Sequence, residues 1–320
     1  MRPAARRAQV EAFAKINLDL RVLWKRPDGY HELRTVFQTI SLSDRLGVEF
    51  EPSRRTKLEL QSTLDLADNL VLRAARLAME AMRCTGTVRF RLEKRIPVGA
   101  GLGGGSSDAA AVLLALPVLA GRRISEEGLI RLAAELGSDV PFFLLGGTAL
   151  GIGSGTEVYP LPDCPRSRGL LVAPDIHVST AEAYRALGRK LTTAAPGNMI
   201  SSFQSYAWRY TTGSAGSSDP AEGKNDFEAV VFRRHPRLRS IKKALLGLGA
   251  APALLTGSGS ALFGVFRTRE EMKEVLPRFQ KERVIAFEFV TRTAYRARWC
   301  RHLRAYMDEE IWPPRNRDTR

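Results

Sequence analysis

The chain has 320 residues, 44% of them hydrophobic, and its 49 Lys and Arg against 34 Asp and Glu leave a formal net charge of +15; this composition suits a globular chain of two domains or one large one. No apolar run approaches the roughly 20 residues that span a bilayer, and no apolar core follows Arg2, Arg6 and Arg7, so neither a membrane span nor a secretory leader is expected. The positive charge raises nucleic-acid binding, but no basic run interleaved with aromatics and no recognition-helix pattern accompanies it, and a basic surface meeting anionic ligands is the plainer reading.

Residues 8–23 alternate. Ala12, Ala14, Ile16, Leu18, Leu20 and Val22 face one way; Phe13, Lys15, Asn17, Asp19 and Arg21 face the other. This predicts a half-buried strand with Lys15 and Asn17 on one face. Lys25 to Gly29 has turn chemistry, Tyr30 and His31 follow it, and a second strand runs from Leu33 to Leu42. Residues 46–60 alternate again around Pro52–Arg55, which predicts a hairpin. A helix is expected over Leu70–Met82, capped near Asp68 or Asn69, and a strand with one wet face at Val88–Leu92.

Next come Pro97-Val98-Gly99-Ala100-Gly101-Leu102-Gly103-Gly104-Gly105-Ser106-Ser107-Asp108 and an apolar helix over 108–120. A loop so poor in side chains lets a ligand approach the backbone, and its amides with the helix start behind them favour an anion. Ser125 caps a further helix to Leu136, with Glu127 close to the capping-box position. Asp139 follows in a Gly-Ser-Asp-Val-Pro stretch, and Gly146 to Gly155 punctuate short strands. Pro160–Pro165 has the character of a domain junction, Leu170–Pro174 is a strand, and Ser179–Tyr184 opens a helix. Residues 192–224 have no period and are expected to be a flexible insertion. Helices at 227–234 and 238–248 follow, the first capped by Asn225-Asp226; then come a strand–turn–strand at 254–266, a helix at 269–280, a terminal strand at 284–295 and a frayed tail from Ile311. Cys84, Cys164 and Cys300 are far apart and odd in number, so neither a disulfide framework nor a metal spacing is visible and a reducing cytoplasm is expected.

Gly99, Gly101 and Gly104 satisfy G-x-G-x-x-G, but the strand before them alternates with charges and no acidic residue follows at about 20 positions, so a dinucleotide fold is a weak alternative. No lysine follows the loop as a Walker A motif requires, and no His-Arg-Asp or Asp-Phe-Gly of a protein kinase is present. What remains is an anion cradle with a serine hydroxyl able to reach a magnesium ion.

The loop 97–107 resembles the signature of the GHMP small-molecule kinases. Ala14-Lys15-Ile16-Asn17-Leu18, Arg26 to His31, Thr35-Val36-Phe37-Gln38, Ser138 to Phe143, Asn225 to Glu228 and Thr256 to Ser260 resemble, in order, the blocks of the branch whose acceptor is a cytidine diphosphate derivative of the non-mevalonate isoprenoid route. The resemblance implies an α+β fold in two lobes, the first like domain 2 of ribosomal protein S5 (1–160) and the second ferredoxin-like (166–300, with the insertion 192–224), then a tail (301–320). It implies ATP and Mg2+ as co-substrates and Asp139 as the carboxylate at the acceptor hydroxyl, with Lys15 as its partner. Pro97, Gly99, Gly101, Gly103, Gly104, Gly105, Ser106 and Ser107 would hold the nucleotide, with Ser106 on the metal. Asn17 would contact the acceptor, Tyr30 and His31 would bind its cytosine, and Tyr184 would stack on the other side; 254–266 would close over the site. Neither Glu126, Glu127 nor Glu135 is a clear magnesium ligand. The alternatives are a homoserine, mevalonate or sugar kinase, a nicotinamide dehydrogenase, or a basic nucleic-acid-binding protein.

Overall fold

The structure is a computed structural model and describes residues 5–64, 69–188, 201 and 223–307. The insertion read at 192–224 and the tail from Ile311 lie outside the described residues, apart from Ser201, Gly223 and Lys224.

Strands β1 (Arg6–Lys25) and β2 (His31–Pro52) form one long antiparallel hairpin. Its turn closes through Arg26 N donating to Tyr30 O at 2.7 Å and Gly29 N donating to Arg26 O at 3.1 Å. The outer edge of β2 is shared. Strand β4 (Gly86–Glu93) pairs with 45–52 and β5 (Thr148–Gly153) with 33–38, so both enter a six-stranded sheet that β3 (Lys57–Ser62) and β6 (Glu157–Pro160) complete. The expected 46–60 hairpin does not form. β4 lies between β2 and β3 and pairs with β3 in parallel, because both neighbours offer edges to the alternating Val88, Phe90 and Leu92.

Helices α1 (Leu70–Ala81), α2 (Gly104–Ala120), α3 (Glu126–Leu136) and α4 (Val140–Leu145) contribute to one core with this sheet. Asn69 Oδ1 caps α1 by accepting from Val71 N, and Ser125 Oγ caps α3 by accepting from Gly128 N. α2 is buried continuously from Ser107 to Leu119, as an all-apolar helix must be.

The second lobe is an antiparallel sheet of order β10-β7-β9-β8, from β7 (Arg168–Ala173), β8 (Ala253–Leu255), β9 (Leu262–Phe266) and β10 (Arg283–Glu288). Helices α5 (Thr180–Leu187), α6 (Glu228–Arg234), α7 (Pro236–Gly247) and α8 (Arg269–Val275) share its core. A third core lies between the lobes, where Ala14, Ile16 and Leu18 meet Leu171, Leu254 and Phe263. β1 is therefore buried on both faces from Ala12 to Leu20, not half-exposed as its alternation suggests.

The chain then returns to the first lobe. The terminal strand expected to 295 stops at Glu288, and α9 (Arg292–Cys300) follows, capped by Thr291 Oγ1 accepting from Ala294 N. Tyr295, Trp299 and Leu303 join the core of Phe13, with the Phe13 and Tyr295 rings 5.6 Å apart and the Tyr295 hydroxyl donating to Phe143 O. A lobe boundary at 300 therefore cuts through one packed unit, because burying Tyr295 and Trp299 against Phe13 overrides sequence order.

Candidate active site

β4 runs straight into the glycine loop. Gly99, Gly101 and Gly103 adopt φ of +69°, +80° and +70°, a left-handed backbone that disfavours a side chain. Space excludes one as well. A Cβ on Gly101 would stand 2.1 Å from Thr256 O, and one on Gly103 would stand 2.9 Å from the Phe143 ring and 3.3 Å from Lys15 Cγ. The loop thus lies backbone-to-backbone on the turn between β8 and β9. Lys15 N donates to Leu102 O (3.0 Å), and Ala261 N donates to Ala100 O (3.2 Å).

α2 begins at Gly104, a turn earlier than its apolar residues suggest, because Gly103 can take the left-handed N-cap conformation. Gly104, Gly105 and Ser106 therefore form the first turn, whose amides have no intrahelical partner. The two serines part company. Ser106 lines the main cleft; Ser107 is 1% exposed, its hydroxyl makes no hydrogen bond and its amide is taken by Gly103 O at 2.9 Å. Gly101 and Gly103 also line the cleft, whereas Pro97, Gly99, Gly104 and Gly105 lie outside its wall.

The cleft measures about 920 Å³ and gathers Lys15, Asn17, Tyr30, His31, Ser106, Asp139, Tyr184 and Gly257. Lys15 Nζ stands 3.4 Å from Asp139 Oδ2, donates to Asn17 Oδ1 at 2.9 Å and lies 5.4 Å from the centre of the Phe37 ring. Lys15 is buried while the Asp139 side chain is 33% exposed, so the carboxylate is the reachable partner. A pair so placed can orient a hydroxyl and take its proton.

Asn17 is a hub. Its Oδ1 also accepts from Gly257 N at 2.8 Å, and its Nδ2 donates to Thr35 Oγ1 at 2.8 Å. Asn225 Nδ2 ties the same turn down through Leu255 O and Gly257 O. Asn17 thus spends its Oδ1 and one Nδ2 hydrogen on the protein while it borders the cleft. Asn225 Oδ1 also accepts from Phe227 N at 2.9 Å at the start of α6, while Asp226 accepts from Val22 N at 3.0 Å and holds β1.

At the other end of the cleft, the His31 and Tyr184 rings stack on each other with centroids 4.7 Å apart, and Tyr184 meets Phe227 edge-on at 4.8 Å. The His31 and Tyr184 rings leave no room for a base between them at that distance; the exposed Tyr30 lines the same cleft. Burial and then the nearby Lys25 charge hold His31 below its ordinary range, which keeps it neutral near pH 7. Burial raises the Tyr184 phenol.

Sequence patterns gave no sign of a buried charge group beside the loop. Lys94 Nζ lies 2.5 Å from Asp44 Oδ2 and 2.7 Å from Asp108 Oδ2. Burial works against the Lys94 charge, but the two carboxylates outweigh it and raise the ammonium above its usual range. Burial foremost pushes the Asp108 carboxyl up to about 7, with Asp44 beside it adding to the effect and Lys94 opposing it. Lys25, Thr180 and Arg185 also line the cleft without any motif to announce them, and Ser258 does so from the 256–260 block. Among the described residues no group of three His, Cys, Asp or Glu side chains could hold a metal, and no helix is long and apolar enough to cross a membrane.

The two lobes and the glycine cradle at their cleft define a small-molecule kinase of the GHMP type. The profile of the GHMP kinases N-terminal domain matches residues 69–147 and that of the GHMP kinases C-terminal domain matches 213–285. The chain belongs to the 4-diphosphocytidyl-2-C-methyl-D-erythritol kinase family. It is 54% identical over 316 residues to the kinase of that name from Solibacter usitatus (strain Ellin6076), covering 98% of each chain. It is 43% identical to that of Pelotomaculum thermopropionicum, over 84% of this chain and 93% of the relative. A crystal structure of 4-(cytidine 5'-diphospho)-2C-methyl-D-erythritol kinase superposes with a TM-score of 0.72 at 38% identity, over 88% and 98% of the two chains. The homoserine kinase of Cytophaga hutchinsonii, at 17% identity and a TM-score of 0.68 over 89% and 95%, shares the fold.

Proposed function

We propose that this chain transfers the γ-phosphoryl group of ATP to the 2-hydroxyl of 4-diphosphocytidyl-2-C-methyl-D-erythritol, giving the 2-phosphate and ADP, on the non-mevalonate route to isopentenyl diphosphate. The observation that carries this is the Lys15–Asp139 pair, set at 3.4 Å in one cleft between the glycine cradle and the His31–Tyr184 stack.

Phosphoryl transfer asks for alignment and charge neutralisation more than for covalent help. Asp139 accepts the proton of the acceptor hydroxyl as its oxygen bonds to the γ-phosphorus and the bond to the β-phosphate oxygen breaks. Lys15 keeps that carboxylate in place and balances the charge of the approaching phosphoryl group. The backbone at the cleft wall, Gly101, Gly103 and Ser106 at the start of α2, holds phosphate oxygens, where the helix dipole favours negative charge. Were Mg2+ bound with the nucleotide, the Ser106 hydroxyl at the cleft wall would help to hold it, and the metal would supply neutralising charge for the transferring group. Neutral His31 offers one donor and one acceptor to a cytosine edge, and Tyr30 is free to cover the base.

The test is ADP release with 4-diphosphocytidyl-2-C-methyl-D-erythritol, homoserine and mevalonate in parallel. Turnover with the first alone is expected. Comparable turnover with either other alcohol, or none with the first, overturns the assignment.

A further inference from the structure

The machinery above makes no use of Lys94, yet its ammonium joins both ends of the phosphate loop. Lys94 is the residue directly after β4. Its side chain is 3% exposed, as are those of Asp44 and Asp108 at 0% and 4%. Asp44, in β2, spends its Oδ1 on Arg95 N and Ile96 N, at 2.5 and 2.8 Å, and so fixes the residues that enter the loop. Asp108 stands in α2, one turn beyond the residues that leave it. Lys94 Nζ bridges the two.

The bridge also lies directly against the loop's exit. A Cβ on Gly104 would stand 3.2 Å from Lys94 Nζ and 3.0 Å from Ile96 Cγ2, so a side chain here would crowd this ammonium. Asp108 Oδ1 is buried and makes no hydrogen bond, so the bond to Lys94 is what holds this carboxyl in an otherwise apolar helix. A buried charge group of this kind gives geometry more readily than net stability. Fixing the ends of a glycine-rich loop before the ligand arrives removes an ordering cost that binding would otherwise bear.

We propose that Lys94 and Asp108 are positioning residues for the nucleotide: their bridge clamps the two ends of the phosphate loop, so that it sets the affinity for ATP and leaves the acceptor and the chemical step alone. The proposal rests on the kinase reading above.

ATP binding is measured by titration calorimetry without acceptor, beside steady-state kinetics. Asp108→Ala keeps the Lys94–Asp44 pair and releases only the α2 end; we expect its dissociation constant for ATP to rise about tenfold, with kcat and the acceptor KM within about twofold of wild type. Asp108→Asn keeps an oxygen for Lys94 and is expected to restore ATP affinity to within about threefold. Lys94→Gln, whose shorter amide reaches one carboxylate and not both, tests the clamp from the other side and should weaken ATP binding to a similar degree as Asp108→Ala. Unchanged ATP affinity in a folded Asp108→Ala or Lys94→Gln protein overturns the clamp, as does a parallel loss of kcat and both KM values. If wild-type protein does not bind ATP, the kinase reading fails and the clamp falls with it.

Discussion

The two ends of the cleft, proposed above to take the phosphates and the acceptor, are built on opposite principles. The phosphate end is backbone: three left-handed glycines, a helix start and a turn pressed so closely on the loop that a Cβ at Gly101 would fall 2.1 Å from Thr256 O. Buried ion pairs lie beneath it. The acceptor end is side chain: Tyr30, 62% exposed, beside the stacked rings of His31 and Tyr184. Phosphate is the same in every reaction of a kinase family, and a rigid backbone cradle suits it. The acceptor differs from member to member, and exposed side chains can change without disturbing a core. The Lys15–Asp139 pair sits where the two meet.

That contrast is broken most sharply at the meeting point. Asp139→Ala should lower kcat by roughly 10²–10⁴-fold, the range of a lost general base, while calorimetry shows ATP binding intact. Simultaneous loss of ATP binding would make Asp139 a structural residue of the α4 N-terminus. Lys15→Ala should also lower kcat, and an unchanged value would remove it from the chemistry.

At the phosphate end, Gly101→Ala must move the backbone, since neither its φ of +80° nor the space beside Thr256 O accepts a methyl group. The expected result is a rise of at least about tenfold in the KM for ATP and a lower melting temperature, because strain of roughly 1–3 kcal/mol is introduced where two lobes touch. An unchanged KM for ATP would mean that the loop is not a rigid cradle. Tyr184→Ala should do the reverse. It removes an aromatic pair of roughly 0.5–1.5 kcal/mol, so the acceptor KM should rise about three- to tenfold with the KM for ATP unmoved.

The same contrast explains what could be read without coordinates. Lys15 and Asn17 share a face because a strand has period two, and the register from Lys15↔Thr39 to Asn17↔Phe37 is unbroken between bulges. The glycine loop was legible because its need is local: positive φ at alternate residues. Asp139 gained its meaning from resemblance, and the structure brings it to Lys15. The Lys94 bridge was not legible, since Asp44, Lys94 and Asp108 lie in three separate segments with no shared period. The insertion of β4 between β2 and β3 was missed because alternation fixes which face is buried, not which strand is neighbour. The stacking of His31 on Tyr184 was not legible either, since nothing in the spacing of residues 31 and 184 shows that their rings touch.

The smallest expected effect is in pH, and it should appear at one end of the cleft only. His31 is held below its ordinary value of 6.5 by burial and by Lys25, and on its other side it meets the neutral Tyr184 ring. A lowered histidine is neutral above that value and gains its proton only as pH falls through the folded range, so whatever depends on neutral His31 is present at pH 7–8 and is lost on acidification. The acceptor KM should therefore stay flat from about pH 7 to 8 and climb a few-fold below about pH 6. The KM for ATP should not follow, since His31 lies at the acceptor end. His31→Gln, neutral throughout, should remove the acid limb from the acceptor KM; an acid limb that persists in this variant, or that appears equally in both KM values, would show that His31 does not read the base edge.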